Sequence, residues 1–421
     1  MSGTNTTAAI LSFEQARHTV EEHARALKPP ESELVDLELA GTRVLAEAIV
    51  ADRDFPPFPR SARDGYAVRS SDLNTVPTTL TVVAEIKAGD APESFSGPLQ
   101  PGQAAAIMTG AAVPDGADAV AMVEYTSLHN DSVQIQKPVT AGENVVSRGS
   151  EACAGVQLVE SGTRLTPAAI ALAASVGKTN LHVYKLPRVA VLATGDELVS
   201  VGAQPGAHQI RNSNSHSLAT QIRAAGGQPV LLPIAPDEPV QLRHLIEQGL
   251  AADLLLLTGG VSMGKYDLVE QVLGELNAEF FFTGAMIQPG RPVVFGHVPR
   301  VSKSSGDAAN TYFLGLPGNP VSTMVTFSLF AKPLLDALAG AKPHPLQFLK
   351  ARLKSDVKTK TGLTRFLPSL LSGEFDATEV ELLRWQGSGD IAAAARASCY
   401  LVVPPDREHI PAGSMVSVLL A

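Results

Sequence analysis

After Pro187 the chain repeats one pattern four times: a short apolar run, a polar loop, then a stretch of helical character. Residues 189–193 lead into Thr194-Gly195-Asp196-Glu197, residues 229–234 into Ala235-Pro236-Asp237, residues 254–257 into Thr258-Gly259-Gly260, and residues 312–316 into Pro317-Gly318-Asn319-Pro320. The unbroken leucines of the third run suit a strand buried on both faces. Helices are expected at 214–225, 239–251, 268–276 and 321–338, which predicts an α/β domain with a mostly parallel sheet. Such sheets bind ligands beyond the carboxyl ends of their strands, where these loops gather.

The third loop reads T-G-G-V-S-M-G-K-Y-D from Thr258 to Asp267. Gly259 and Gly260 allow close approach to the backbone, Ser262 offers a hydroxyl, and the free N–H groups of a helix starting at Leu268 attract an anion: together, a phosphate cradle. Residues 319–322, directly before a helix, supply a second anion site of the same kind. Glu197, Asp237 and Asp267 lie on three different loops. Each alone reads equally well as a first-turn helix residue facing the macrodipole, but recurrence on successive strands favours one shared crevice. Three carboxylates beside a phosphate repel unless a cation lies between them, so magnesium is implied. A P-loop lysine and the GxGxxG pattern are both absent, which disfavours an ordinary ATPase or dinucleotide enzyme. Ser262 and Ser322 lack an adjacent Asp/His pair, and His208, His216 and His297 lack metal-ligand spacing.

The remaining chain is organised around this domain. At 421 residues, two to four compact units are expected. Residues 13–26 read as a helix with Ser12 as N-cap and Lys28-Pro29-Pro30 as its stop. The proline-rich 52–59 segment is a rigid exposed connection, and the Asp-Gly turn of S-A-R-D-G-Y-A-V presents Asp64 at the surface. From 80 to 136 short strands alternate with Gly, Pro and Asp turns, and Thr109 ends one of them in M-T-G-A. Thr166 caps and Pro167 opens a further helix. Helical pieces on both sides of the β-rich block suggest an insertion. The expected units are a discontinuous helical stalk (10–55 and 152–186), an inserted small β-rich domain (56–151), the central α/β domain (187–340) and a C-terminal small β-barrel (341–421).

Composition narrows the class. Hydrophobic residues make up 45% and charged residues 18%, which excludes general disorder, and no apolar run is expected to span a bilayer. Cys153 and Cys399 have no CxxC or Cys/His partner, and residues 1–9 lack the regions of a signal peptide, so a reducing cytoplasmic setting is expected. The formal charge of −9, without a basic run, argues against nucleic acid as a partner.

These motifs resemble the molybdopterin molybdenumtransferase family (MoeA and the gephyrin E-domain) over roughly 13–420. The resemblance rests on S-A-R-D-G-Y-A-V around Asp64, I-M-T-G-A around Thr109, T-G-D-E-L from Thr194, the Thr258–Asp267 loop, I-Q-P-G-R-P from Ile287 and G-L-P-G-N-P-V-S from Gly315. It implies the last step of molybdenum cofactor synthesis, in which adenylylated molybdopterin is hydrolysed with molybdate and a divalent cation, releasing AMP. It also implies a homodimer whose site lies between one subunit's α/β domain and the partner's small domain. Asp64, Thr109, Glu197, Asp237 and Asp267 would be catalytic, the last three holding Mg2+. Thr194, Gly259, Gly260, Ser262, Gly318, Asn319, Pro320 and Ser322 would bind substrate, and Arg291, Pro292, Arg365 and Ser388 the oxyanion. Many relatives read Lys-Pro-Gly-Lys-Pro where this chain has Gln288-Pro289-Gly290-Arg291-Pro292, so charge is assigned here to Arg291 and Arg365. A non-catalytic gephyrin-like scaffold and a tungstate-inserting paralogue are the alternative readings.

Overall fold

The computed structural model describes residues 9–90, 97–260, 268–301, 308–374 and 376–421. Ser262 and Asp267 therefore lie outside the described residues. The main helices are α1 (Phe13–Ala26), α2 (Pro167–Ser175), α3 (Asn214–Ala224), α4 (Pro239–Gly249), α5 (Leu268–Glu275), α6 (Pro320–Thr326) and α7 (Lys332–Leu338).

The central sheet has six strands in the order Gln228–Leu231, Arg188–Ala193, Leu254–Thr258, Ala308–Leu316, Val294–Val301, Glu279–Phe282. The first four run parallel, and the last two join antiparallel. Leu254, Leu255, Leu256 and Leu257 are all 0% exposed. Alternation sends Leu254 and Leu256 into one core with Val189, Val191 and Leu314, and Leu255 and Leu257 into another with Ala190, Leu192 and Phe313. Each buried leucine contributes about 2 kcal/mol, so this strand anchors the sheet from both sides. In the register Ala193 lies opposite Thr258 and Thr258 opposite Leu316, so three strands end in line and release their loops at one edge.

Helices α6 and α7 are joined by a π-helical turn, Phe327–Ala331, into one run from Pro320 to Leu338. Against the expectation from sequence, this run is long and apolar enough to cross a bilayer. It is instead core: Val321, Val325, Leu329, Phe330 and Leu334 are 0% exposed within the larger apolar cluster. A second difference concerns α1, which sequence order groups with the stalk. Its stripe of Phe13, Ala16, Val20 and Ala24 packs into the cluster of the central sheet and α7. The Phe13 ring meets Phe330 at 6.5 Å and Phe366 at 5.2 Å between centroids, both edge-on. The capping box of Ser12 and Gln15 starts this helix as expected.

Residues Gly65–Val68, Thr78–Ile86, Gln103–Ile107, Ala119–Met122, Thr126–His129 and Ser132–Ile135 form a separate six-stranded sheet. The chain on either side of it pairs with itself, Ser32–Asp36 with Asn180–Tyr184 and Ile49–Val50 with Gln157–Val159. At the C-terminus five strands close into a barrel, in the order Thr364–Ser372, Glu379–Leu382, Leu349–Leu353, Met415–Leu420, Cys399–Val403, with the last pairing back to the first. The short strand Ile287–Gln288 extends the barrel by pairing with Thr364 and Arg365.

Candidate active site at the strand ends

The loops released in line by the central sheet enclose a crevice of about 440 Å³. Thr194, Glu197, Asp237, Gly259, Gly260, Gly318, Asn319, Pro320 and Pro292 all border it. Each is placed by the backbone just beyond a strand end. The Thr194 N–H donates to the Thr258 carbonyl at 3.0 Å, and Thr194 also bridges in parallel to Ala235, carrying the sheet one residue past its strands.

This extension sets the carboxylates. The Thr194 hydroxyl donates to Asp237 Oδ1 at 2.8 Å, and the Asp237 N–H donates to Asp196 Oδ1 at 3.1 Å. Asp237 is thereby oriented while remaining exposed. The Glu197 carboxylate folds back over Gly195, where a Cβ would lie 2.4 Å from Glu197 Oε2, and the Gly195 φ of 146° is a backbone conformation that favours glycine. At Gly259, with φ 90°, a Cβ would lie 2.3 Å from the Thr194 carbonyl oxygen, so this loop also requires glycine.

Among the described residues no three His, Cys, Asp or Glu side chains form a metal-holding group. Glu197 and Asp237 supply two carboxylates to the crevice, with the hydroxyls of Thr194 and Thr258 beside them and no thiol or imidazole among the described lining residues. An all-oxygen set fits Mg2+, which keeps much of its water shell and takes one or two carboxylates.

The structure places other expected residues differently. Ser322 is 3% exposed inside α6 and does not border the crevice. The N-terminus of α6 is not an open anion site: the Val321 N–H donates to the Ser388 carbonyl at 3.0 Å, and the Thr323 N–H returns to Asn319 O. Arg365 is 8% exposed, donates to the Leu363 carbonyl at 3.1 Å and makes no ion pair among the described residues. Burial holds its pKa below the usual arginine value. Its strand lies opposite Gln288, and the following loop runs through exposed Arg291 to Pro292 on the crevice wall.

Asp64 and Thr109 meet each other on the separate six-stranded sheet and do not border this crevice. The Thr109 N–H and hydroxyl both donate to Asp64 Oδ1, at 2.6 and 2.7 Å. These bonds, the backbone one first, hold the Asp64 pKa below the ordinary carboxylate value.

One wall was not anticipated: Ile210, Arg211, Asn212, Ser213 and Asn214. Arg211 is the one Lys or Arg side chain among the described lining residues, and its Nε is held on the Ala203 carbonyl at 3.1 Å. The signal was the polar R-N-S-N run before a helix, where Asn212 Oδ1 accepts from the Ser215 N–H at 3.1 Å.

Comparison with known proteins agrees along the chain. Family models described as "MoeA N-terminal region (domain I and II)", "Probable molybdopterin binding domain" and "MoeA C-terminal region (domain IV)" match residues 11–177, 190–337 and 350–421. A molybdopterin molybdenumtransferase of Nostoc sp. is 37% identical over 92% of this chain and 88% of its own length. One from Haemophilus influenzae is 32% identical over 97% of this chain and 98% of its own. A crystal structure of the molybdopterin biosynthesis MoeA protein from Pyrococcus horikoshii superposes with a TM-score of 0.78 at 27% identity, covering 98% of this chain and 100% of that one.

Proposed function

The chain belongs to the molybdopterin molybdenumtransferase family, and from that premise we propose how its residues divide the work of inserting molybdenum into molybdopterin. The protein is a transferase of molybdenum cofactor synthesis. The substrate is adenylylated molybdopterin: a P–O bond forms to water as the phosphoanhydride bond breaks, AMP leaves, and molybdate supplies the metal centre.

The observation that supports this reading is the crevice itself. Two carboxylates, one arginine and two glycine loops border a single space of about 440 Å³. That donor set suits an anionic phosphate ligand that arrives with a cation. Glu197 and Asp237 would hold Mg2+, with Asp267 expected beside them; when bound, the ion would neutralise charge on the phosphoanhydride oxygens. Thr194 keeps Asp237 in one orientation. Gly259, Gly260, Gly318 and Asn319 let the backbone approach the phosphate, and Arg211 faces it with a planar fork of donors. Arg365, Arg291 and Ser388 would receive the oxyanion where barrel and crevice meet.

The Asp64–Thr109 pair completes the site from a second subunit. Asp64 is exposed, is kept ionised by Thr109, and has Oδ2 free of hydrogen bonds among the described residues. Its open Oδ2 is placed to accept a proton from water, although its own chain's crevice excludes it. We propose a homodimer, in a cytoplasmic setting, as the working state.

The test follows AMP release from adenylylated molybdopterin with Mg2+ and either molybdate or tungstate. Asp64→Asn and Asp237→Asn proteins, each strongly impaired alone at limiting Mg2+, are then mixed at that Mg2+ concentration and allowed to exchange subunits. A shared site restores about a quarter of the wild-type rate, because half the dimers carry one intact site. No recovery despite exchange rejects the shared site, and no AMP release by wild-type protein rejects the reaction.

A further inference from the structure

The crevice has a buried clasp on its floor. Asn214, the first residue of α3, is 9% exposed, and both hydrogens of its side-chain amide are used. One goes to Thr258 Oγ1 at 2.8 Å and the other to the Gly318 carbonyl at 2.7 Å. Thr258 ends the strand that releases Gly259 and Gly260, and Gly318 lies in the loop after the neighbouring strand. The two loops touch, since a Cβ at Gly318 would lie 3.5 Å from the Gly259 Cα.

The amide has one workable orientation. Turned over, it would set its oxygen against the Gly318 carbonyl, two acceptors facing each other. In the observed orientation Oδ1 is buried without a partner among the described residues. A buried acceptor left unpaired costs stability, so two good donor contacts are kept at the expense of one lost acceptor contact. The Thr258 hydroxyl continues the chain towards the Pro317 carbonyl at 3.5 Å, which also accepts from Thr323 at 2.5 Å.

We propose that Asn214 is a positioning residue for the transfer reaction, coupling the Gly259–Gly260 and Gly318–Asn319 loops so that the substrate meets one rigid wall rather than two independent turns. This rests on the reading that those loops hold the phosphorylated pterin. Asn214 touches neither reacting atom; it fixes the spacing of the backbone groups that do the holding. Losing it should weaken ground state and transition state alike, raising KM with little change in kcat.

Two measurements test the clasp. In Asn214→Ala, hydrogen exchange at the Gly259 and Gly318 amides should accelerate together by about tenfold or more, and KM for adenylylated molybdopterin should rise about tenfold with kcat within about threefold. Asn214→Asp should do worse than alanine, because a carboxylate has no N–H for the Gly318 carbonyl and repels it. Thr258→Val, close in shape but without the hydroxyl, should raise KM in the same direction, and the Asn214→Ala/Thr258→Val double variant should be less than additive. Should Asn214→Ala fail to fold, the valine variant alone decides. Exchange that accelerates in one loop only, or an unchanged KM in a folded variant, overturns the proposal. If wild-type protein releases no AMP, the transferase reading fails while the exchange result still judges the clasp.

Discussion

Thr109 gives both of its hydrogens to a single oxygen of Asp64, the N–H at 2.6 Å and the hydroxyl at 2.7 Å. One carboxylate oxygen is thus held and the other left open, on a side chain exposed to solvent. Two donors on the charged form favour ionisation and hold the Asp64 pKa below the ordinary carboxylate value.

Removing the hydroxyl should undo part of this. In Thr109→Val the backbone bond remains, so the Asp64 pKa should rise towards the ordinary carboxylate value without reaching it, as read by NMR titration of its side-chain carbon. The sign for stability follows: a depressed carboxylate pKa favours the fold above the unfolded value and loses that contribution as pH falls through the folded one. The rate of AMP release should fall about tenfold in Thr109→Val and about 100-fold or more in Asp64→Asn, the range expected for a general base. An equal loss in both variants would assign Thr109 a direct role.

Glu197→Gln and Asp237→Asn should each raise the Mg2+ concentration needed for half-maximal AMP release by about tenfold or more, since a lost carboxylate ligand removes a full charge. Titration calorimetry with Mg2+ alone reads the same change without turnover. Thr194→Val should shift it less, because the Asp237 N–H still holds its loop through Asp196.

Arg365 is 8% exposed and unpaired with any acid among the described residues, an arrangement suited to an anion from outside. Arg365→Met, similar in length but uncharged, should raise the molybdate concentration for half-maximal insertion about tenfold or more, the loss expected for one charge-assisted hydrogen bond. KM for the pterin should stay within about threefold. If the pterin KM moved and the molybdate dependence did not, Arg365 would belong to the other substrate.

Stability should also fall in mild acid. Burial holds the His23 and His297 pKa values below that of free histidine, and His297 further lowers His23. His23 stacks on Phe281 at 3.9 Å between centroids, its Nδ1 lies 3.2 Å from the Tyr312 hydroxyl, and His297 Nε2 lies 3.3 Å from Glu279. The fold keeps both rings neutral while the unfolded chain protonates, so their contribution is full above the unfolded histidine pKa and shrinks as pH falls below it towards the folded values. Melting temperature should drop from about pH 7 to about pH 5.5, and less steeply in His297→Leu, which also removes a buried Nδ1 unpaired among the described residues. An identical slope in the variant would place the acid sensitivity elsewhere.

Much of the central sheet was legible because its cause is local. The leucines of Leu254–Thr258 cannot be solvated, and glycine pairs after strands mark places where a side chain does not fit. Glu197 and Asp237 could be assigned to one crevice from strand order alone, since parallel strands release their loops at one edge. What escaped depends on contacts distant in sequence. The docking of α1 against the π-helical turn and the barrel involves Phe330 and Phe366, and nothing near Phe13 announces them. Asn214 reads as an ordinary helix start until Thr258 and Gly318 are placed beside it. The N-terminus of α6 looked open because its occupant, Ser388, comes from the end of the chain.

That last contact turns a helix start into a gauge of assembly. While the Ser388 carbonyl sits on the Val321 N–H, the α6 terminus is neutralised and the terminal barrel is in register with the crevice. If the barrel lifted by even one bond length, the amide would become an open donor, gaining solvent exchange and an appetite for stray anions such as phosphate. A single backbone proton thus reports whether two distant parts of the chain are seated, and its protection factor would register loosening before any change in melting temperature.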